Sequence, residues 1–177
     1  MPKGSILLID EAYTHISGAP FNSDLVAAGK DVIILRTFSK IYGMAGLRAG
    51  AVLAKPDLIE KQANFSSLGM LPITAMACAA ASLQVKDLVP TRRKMIGDVR
   101  ENTFEYLAKN SFHYIPSVSN CFMVDVKKPA MEAVMALRTE KVYVGRVWPA
   151  LPTHIRVTVG TQDEMNKFKT AFSRIMA

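Results

Sequence analysis

The sequence predicts an α/β chain in which a mostly parallel sheet with its helices is followed by a smaller α+β unit, and three observations carry this expectation. Two short, mainly apolar runs, SILLI at residues 5–9 and VIIL at residues 32–35, are each followed at once by polar residues. That is the pattern of strands buried on both faces of a parallel sheet. From Pro56 the pattern turns helical, and after residue 110 short strand-like runs alternate with helical ones, as in a small domain that packs helices against a sheet.

Taken in order, the first strand ends at Asp10, and a loop containing the turn formers Gly18, Pro20, Asn22 and Gly29 leads to the second. The second strand runs into Arg36-Thr37-Phe38-Ser39-Lys40. A third apolar stretch, residues 49–54, follows Gly43, Gly46 and Arg48 and stops before Pro56. Pro56 and Pro72 are placed as first-turn prolines, and residues 73–86, rich in Ala and including Met and Leu, read as a buried helix. After Pro90 a more charged helical stretch extends to about residue 110, with Met95, Ile96, Val99, Phe104 and Leu107 at helical spacing. Strands are then expected at 113–115, 121–126, 142–147 and 154–159, with helices at 129–140 and 162–177. The organisation expected is a first unit over residues 1–88, a connecting helix over 89–110 and a second unit over 111–177.

At 177 residues, half of them apolar, the chain has material for a sizeable core. Its +7 charge, from 22 Lys and Arg against 15 Asp and Glu, raises nucleic acid, an anionic membrane or small anionic ligands as partners. The densest basic cluster, Arg92, Arg93, Lys94 and Arg100, alternates with Asp98 and Glu101 and has no aromatics interleaved. It reads as a solvated helix face rather than a surface that tracks phosphates, so no nucleic-acid partner is expected. Apolar runs fall short of the roughly 20 residues of a membrane helix, and Asp10 and Glu11 come too early for a secretory signal. A soluble, cytoplasmic protein is expected. Cys78 and Cys121 lack disulfide or zinc spacing and read as buried thiols, and His15, His113 and His154 lack ligand spacing, so no metal site is indicated.

The chemistry concentrates where strands end: Asp10 with Tyr13, Ser39 with Lys40, and Arg48. Neighbouring strands lie about 4.8 Å apart, so these side chains can converge on one small ligand. A hydrolase would want a nucleophile with its base. A phosphorylated aldehyde cofactor such as pyridoxal phosphate wants an amine, an acid facing its ring nitrogen and donors for its phosphate, and each has a candidate here.

The segments IDEAY and RTFSKIYGMAGLRAG closely resemble fold type I pyridoxal-phosphate enzymes of the class I and II aminotransferases, nearest the histidinol-phosphate aminotransferase group. The resemblance extends through PSVSNCFMVDV to IRVTVGT and matches the carboxy-terminal half of that family. It implies that residues 1–88 are part of the large cofactor-binding domain and 111–177 the small domain. It implies that Lys40 is the Schiff-base partner and moves the proton, that Asp10 pairs with the pyridinium nitrogen, and that Tyr13 bonds the phenolic oxygen. Ser39 and Arg48 would bind the phosphate, and Arg156 the substrate carboxylate, with Asn120 and Arg146 near the substrate. The family's N-P-x-x-P-T-G motif is absent from this sequence, so an amino-terminal half of the fold is an expected partner, as is a second copy in a homodimer. Transamination between an amino acid or amino-alcohol phosphate and a 2-oxo acid is implied; a decarboxylase of the same fold and a non-catalytic interaction or dimerisation module are the alternatives. Plainer roles also exist: a turn cap for Asp10, a sheet cap for Tyr13, a solvated lysine for Lys40, and ion pairs for Arg146 and Arg156.

Overall fold

Strand β1 (Leu7–Asp10) pairs in parallel with β2 (Val32–Thr37), from Leu7 opposite Val32 to Asp10 opposite Leu35. β3 (Gly50–Leu53) returns antiparallel on the other side of β2, with Thr37 opposite Gly50. These statements come from a computed structural model, which describes residues 2, 4–65 and 71–176. β2 is therefore central, and its Val32 and Ile34 are buried.

The expectation that the first strand is buried on both faces does not hold. β1 is an edge strand, and its Leu7 and Leu8 are exposed, Leu8 at 61%. Apolar composition states that a strand can be buried; cover for it must come from other elements, and the described residues place none over Leu8. The connection after β1 is also not a plain loop. It holds two short helices, α1 (Thr14–Ser17), closed by Gly18 at φ 77°, and α2 (Ser23–Ala27), so the turn formers punctuate helices.

Beyond β3, α3 (Pro56–Ala63) begins on its proline and α4 (Ile73–Gln84) follows. α4 was expected to be buried, yet only Ala75 is, while Ile73 is 80% exposed. Its small residues Ala75 and Ala79 pack on Met44, Ala49, Phe38, Tyr42 and Leu47, which roots the loop after β2. Cys78, on the same helix, is exposed and Cys121 half-buried, contrary to the expectation of two buried thiols.

The long helix α5 (Leu88–Lys109) contains the division of the chain into two units, Met1–Arg93 and Lys94–Ala177. Its basic cluster is not the solvated face expected. Lys94 does form an exposed pair with Asp98 at 2.7 Å. Arg92 and Arg93, however, are half-buried and donate to backbone carbonyls of Ile41 and His15, and Arg100 donates to the carbonyl of Ser119. Charge counts cannot distinguish these states, because a long arginine can bury its stem and spend its donors on the backbone.

In the second unit β4 (Tyr114–Ile115), β5 (Cys121–Asp125) and β6 (His154–Thr158) form an antiparallel sheet in that order, with α6 (Ala130–Thr139) and α7 (Gln162–Met176). Ala177, the expected end of the last helix, lies outside the described residues. Phe104, Leu107, Phe122, Leu137, Ile155 and Phe172 lie at the centre of a core that these elements share. The strand expected at 142–147 is absent. Its Val142, Val144 and Val147 pack against the core, but the backbone meets β6 through one bond, from the N–H of Gly145 to the carbonyl of Arg156 at 2.7 Å. Alternating valines report which face is buried, not whether a ladder partner is in register. Among the described residues no helix is long and apolar enough to cross a membrane.

Because Phe172 is fully buried among other rings, Phe172→Ala should destabilise the second unit by about 3–5 kcal/mol. Leu8→Ala should change stability by no more than about 0.5 kcal/mol. Urea unfolding followed by circular dichroism checks both values.

Candidate functional site

Parallel pairing of β1 with β2 sends both chains out of the same end of the sheet, which places Asp10 opposite Leu35, close to where β2 runs into the loop after Thr37. Antiparallel β3 begins where β2 ends: the N–H of Phe38 donates to the carbonyl of Ala49 at 3.1 Å. Arg48, just before β3, therefore comes to that same end. It is the beginning of this strand, not its end, that carries the site residue.

Asp10, at the tip of β1, is exposed, and its Oδ1 accepts the N–H of Ala12 at 2.9 Å. The turn cap and the candidate ligand role are thus compatible, since the cap uses one oxygen and orients the carboxylate. Tyr13 stands at the start of α1, 36% exposed, and the Lys40 Nζ lies 5.1 Å from the centre of its ring. A half-buried lysine over an aromatic face is held by its stem and by the ring's negative face. Ser39 donates its N–H to Thr37 Oγ1 at 3.0 Å, and the carbonyl of Lys40 accepts the N–H of Gly43 at 2.9 Å. Arg48 is exposed, at φ 58°, and its Nη1 donates to the carbonyl of Ala45 at 2.8 Å. The first unit thus gathers Asp10, Tyr13, Ser39, Lys40 and Arg48 at one end of its sheet.

Behind them lies a group that sequence reasoning missed. Side chains alternate along an extended chain, so Glu11 points away from Asp10, and it is 2% exposed. Its Oε2 accepts from Arg36 Nε at 2.7 Å and its Oε1 from the N–H and Nδ2 of Asn22 at 2.8 and 3.1 Å. The Arg36 guanidinium also donates to Ser23 Oγ at 3.2 Å and lies 4.5 Å from the centre of the Phe21 ring. Burial pushes the Glu11 carboxyl up, but the Asn22 backbone N–H, the Arg36 guanidinium and the Asn22 amide together outweigh it and hold it below the ordinary glutamate range. The register, with Asp10 opposite Leu35, continues by one residue to set Glu11 beside Arg36, and the apolar runs by themselves do not fix that register.

His15 sits between the Phe21 and Tyr42 rings, at 4.8 and 5.5 Å between centroids. Burial, then the charges of Arg36 and Arg93, lower its pKa. His113 is exposed and His154 half-buried, and among the described residues no group of three or more His, Cys, Asp or Glu is placed to hold a metal ion.

The second unit holds its own set. Arg156, on β6, is half-buried, with its guanidinium 5.5 Å from the centre of the Trp148 ring. Arg146, exposed, approaches the same ring at 5.8 Å, so aromatic contact replaces the surface ion pair considered for it. Trp148 was missed from sequence, although a lone tryptophan two residues after an arginine was the available signal. The Arg156 Nε is buried and has no hydrogen-bond partner among the described residues. An orphaned buried donor costs about 1–3 kcal/mol, which favours a bound anion there. Gly145 is required for the approach, since a Cβ at that position would fall 2.7 Å from the same nitrogen. Asn120 is half-buried just before β5, and its carbonyl accepts the N–H of Val159 at 2.9 Å.

Residues 1–172 match the family model described as aminotransferase class I and II. The chain belongs to the class I and II aminotransferase family. A histidinol-phosphate aminotransferase from Symbiobacterium thermophilum is 33% identical over 97% of this chain and 48% of its own length. A solved candidate histidinol-phosphate aminotransferase from Erwinia carotovora superposes with a TM-score of 0.93 at 24% identity, over 98% of this chain and 51% of that one. The Sinorhizobium meliloti histidinol-phosphate aminotransferase, solved in complex with pyridoxal-5'-phosphate, gives a TM-score of 0.82 at 27% identity, over 99% of this chain and 50% of that one. This member of the aminotransferase family therefore spans about half the length of the relatives it matches.

Removing the Glu11 charge leaves Arg36 without its partner, and Glu11→Gln should cost about 2 kcal/mol at neutral pH. A lowered folded-state pKa adds stability above the ordinary glutamate value, about 4.3, and that contribution is lost as pH falls through the lower folded value. The difference between wild type and Glu11→Gln should therefore shrink on acidification. Urea unfolding at pH 7 and pH 3 measures it.

Proposed function

We propose that this chain serves a pyridoxal-phosphate-dependent aminotransferase of the histidinol-phosphate type, which moves an amino group between an amino acid or amino-alcohol phosphate and a 2-oxo acid. The observation that carries the reading is the Lys40 amine, half-buried over the Tyr13 ring at 5.1 Å, at the sheet end where Asp10 and Arg48 also emerge. The donor set fits the cofactor: an amine for its aldehyde, a carboxylate on the adjoining strand for its ring nitrogen, and a guanidinium and hydroxyl for its phosphate. The names of the relatives support the substrate class.

Pyridoxal phosphate, when bound, supplies an electron sink for charge that develops at the substrate Cα. The chain's own residues supply the rest. Asp10 keeps a proton on the ring nitrogen by placing a negative charge beside it. Lys40 Nζ holds the cofactor and carries the Cα proton, and the Tyr13 hydroxyl donates to the phenolic oxygen. Ser39 Oγ and the Arg48 guanidinium take the phosphate. Arg156 takes the substrate carboxylate with its planar fork, Trp148 flanks that guanidinium, and Asn120 and Arg146 act near the substrate. The same reading takes the working enzyme as a cytoplasmic homodimer, with the N-P-x-x-P-T-G segment supplied by the amino-terminal half of the fold.

Adding pyridoxal phosphate should produce a visible absorbance band that Lys40→Ala abolishes. With the complete fold assembled, Arg156→Ala should raise the KM for the amino donor by about 10- to 100-fold, the loss of a charge-assisted pair, and leave the band in place. Absence of the band from wild type, both alone and with an amino-terminal half added, would refute the cofactor reading. Carbon dioxide release in place of amino transfer would refute the reaction.

A further inference from the structure

Two loops of the first unit carry the site, residues 10–18 with Asp10 and Tyr13 and residues 37–48 with Ser39, Lys40 and Arg48, and neighbouring residues of α5 reach one each. Arg92 Nη1 donates to the carbonyl of Ile41, the residue after Lys40, at 3.0 Å. Arg93 Nε donates to the carbonyl of His15, two residues after Tyr13, at 2.7 Å. Successive helix residues point about 100° apart, so adjacent side chains diverge and can serve two loops from one rigid base. Both arginines are half-buried and lie along their loops: a Cβ on Gly43 would meet Arg92 Nη1 at 3.7 Å, and one on Gly18 would meet Arg93 Nη1 at 3.3 Å. The two segments meet where the His15 and Tyr42 rings lie 5.5 Å apart with the Tyr42 hydroxyl 3.5 Å from His15 Nε2, and where Lys40 Nζ stands over the Tyr13 ring, and none of these is a short hydrogen bond that would fix them alone. Ile41 lies in the loop after β2 and His15 in the short helix α1, and neither accepting carbonyl belongs to a strand ladder. A charge-assisted donor is the strong way to tether such a group.

We propose that Arg92 and Arg93 are positioning residues that act as a two-pronged clamp, holding the Lys40 loop and the Tyr13 loop in one fixed relation so that the Lys40 amine stays over the Tyr13 ring. Neither arginine touches the cofactor or substrate in the reading above. The clamp stands on the hydrogen bonds alone, while its effect on Lys40 chemistry rests on that reading.

The test is loop-resolved hydrogen exchange on the full chain, with pyridoxal phosphate capture measured in parallel. In Arg92→Ala the amides of Gly43 and Met44 should exchange about tenfold faster while Ser17 and Gly18 keep their rates, and Arg93→Ala should show the reverse. Arg92→Lys and Arg93→Lys, which keep the charge and a donor, should recover part of the protection. The rate at which Lys40 captures added pyridoxal phosphate, read from the visible band, should fall about tenfold in either alanine variant, as expected when the amine is no longer pre-positioned. Exchange that rises evenly through the first unit in both variants would mark the arginines as general structural residues and overturn the proposal. Loosened loops with capture at the wild-type rate would overturn it as well. If wild type captures no pyridoxal phosphate, the cofactor reading fails, and the exchange pattern by itself decides the clamp.

Discussion

The site in the first unit depends on how β2 is paired: parallel to β1 on one side and antiparallel to β3 on the other. A parallel neighbour delivers Asp10 and the Thr37–Lys40 segment to one end of the sheet. An antiparallel neighbour then brings the chain back so that Arg48 precedes β3 at that end. Were β3 parallel, Arg48 would start from the opposite end of the sheet. The small hydrophobic cluster of Met44, Ala49 and Ala75 sits under this turn, which explains why it forms here although much of α4 is exposed. Its burial holds the returning loop against the helix and lets a short sheet carry a defined set of polar groups.

The adjacent acids of the IDEAY segment show how one strand end serves two purposes. Asp10 faces out with a carboxylate oxygen already engaged by Ala12, and Glu11 faces in with both oxygens occupied. A buried carboxylate is tolerable because Arg36 and two donors of Asn22 replace the water it lost. The outcome is a cross-strand tie between β1 and β2 directly behind the exposed acid. The strand end is thereby stiffened beside the Asp10 carboxylate without using that carboxylate to do it.

Much of the site was legible before any coordinates, because its residues fall at ends of apolar runs and because two motifs hold them at fixed spacing. Asp10, Tyr13, Ser39, Lys40 and Arg48 were all singled out as candidates that way, and the structure brings them to one end of the first sheet. Glu11, Asn22 and Arg36 were not singled out, since each matters through a partner distant in sequence, and neither was Trp148, whose ring lies against Arg146 and Arg156. The helix α5 was legible from apolar spacing, and α6 and α7 fall where helices were expected between the short strand-like runs. The strand expected at 142–147 was not legible, because its valines alternate to satisfy the core while, among the described residues, its backbone bonds β6 only at Gly145.

The chain's own residue order thus determined the family, the main helices and most strands, and the candidate reactive groups. These depend on local pattern and composition, which the linear chain records. Tertiary structure alone decided the direction of β3, the exposure of β1 and α4, the inward turn of Glu11, and the reach of Arg92 and Arg93 to the two loops. Each of those turns on which segment lies beside which: burial belongs to a pair of surfaces and a hydrogen bond to a pair of groups, and neither is a property of one residue.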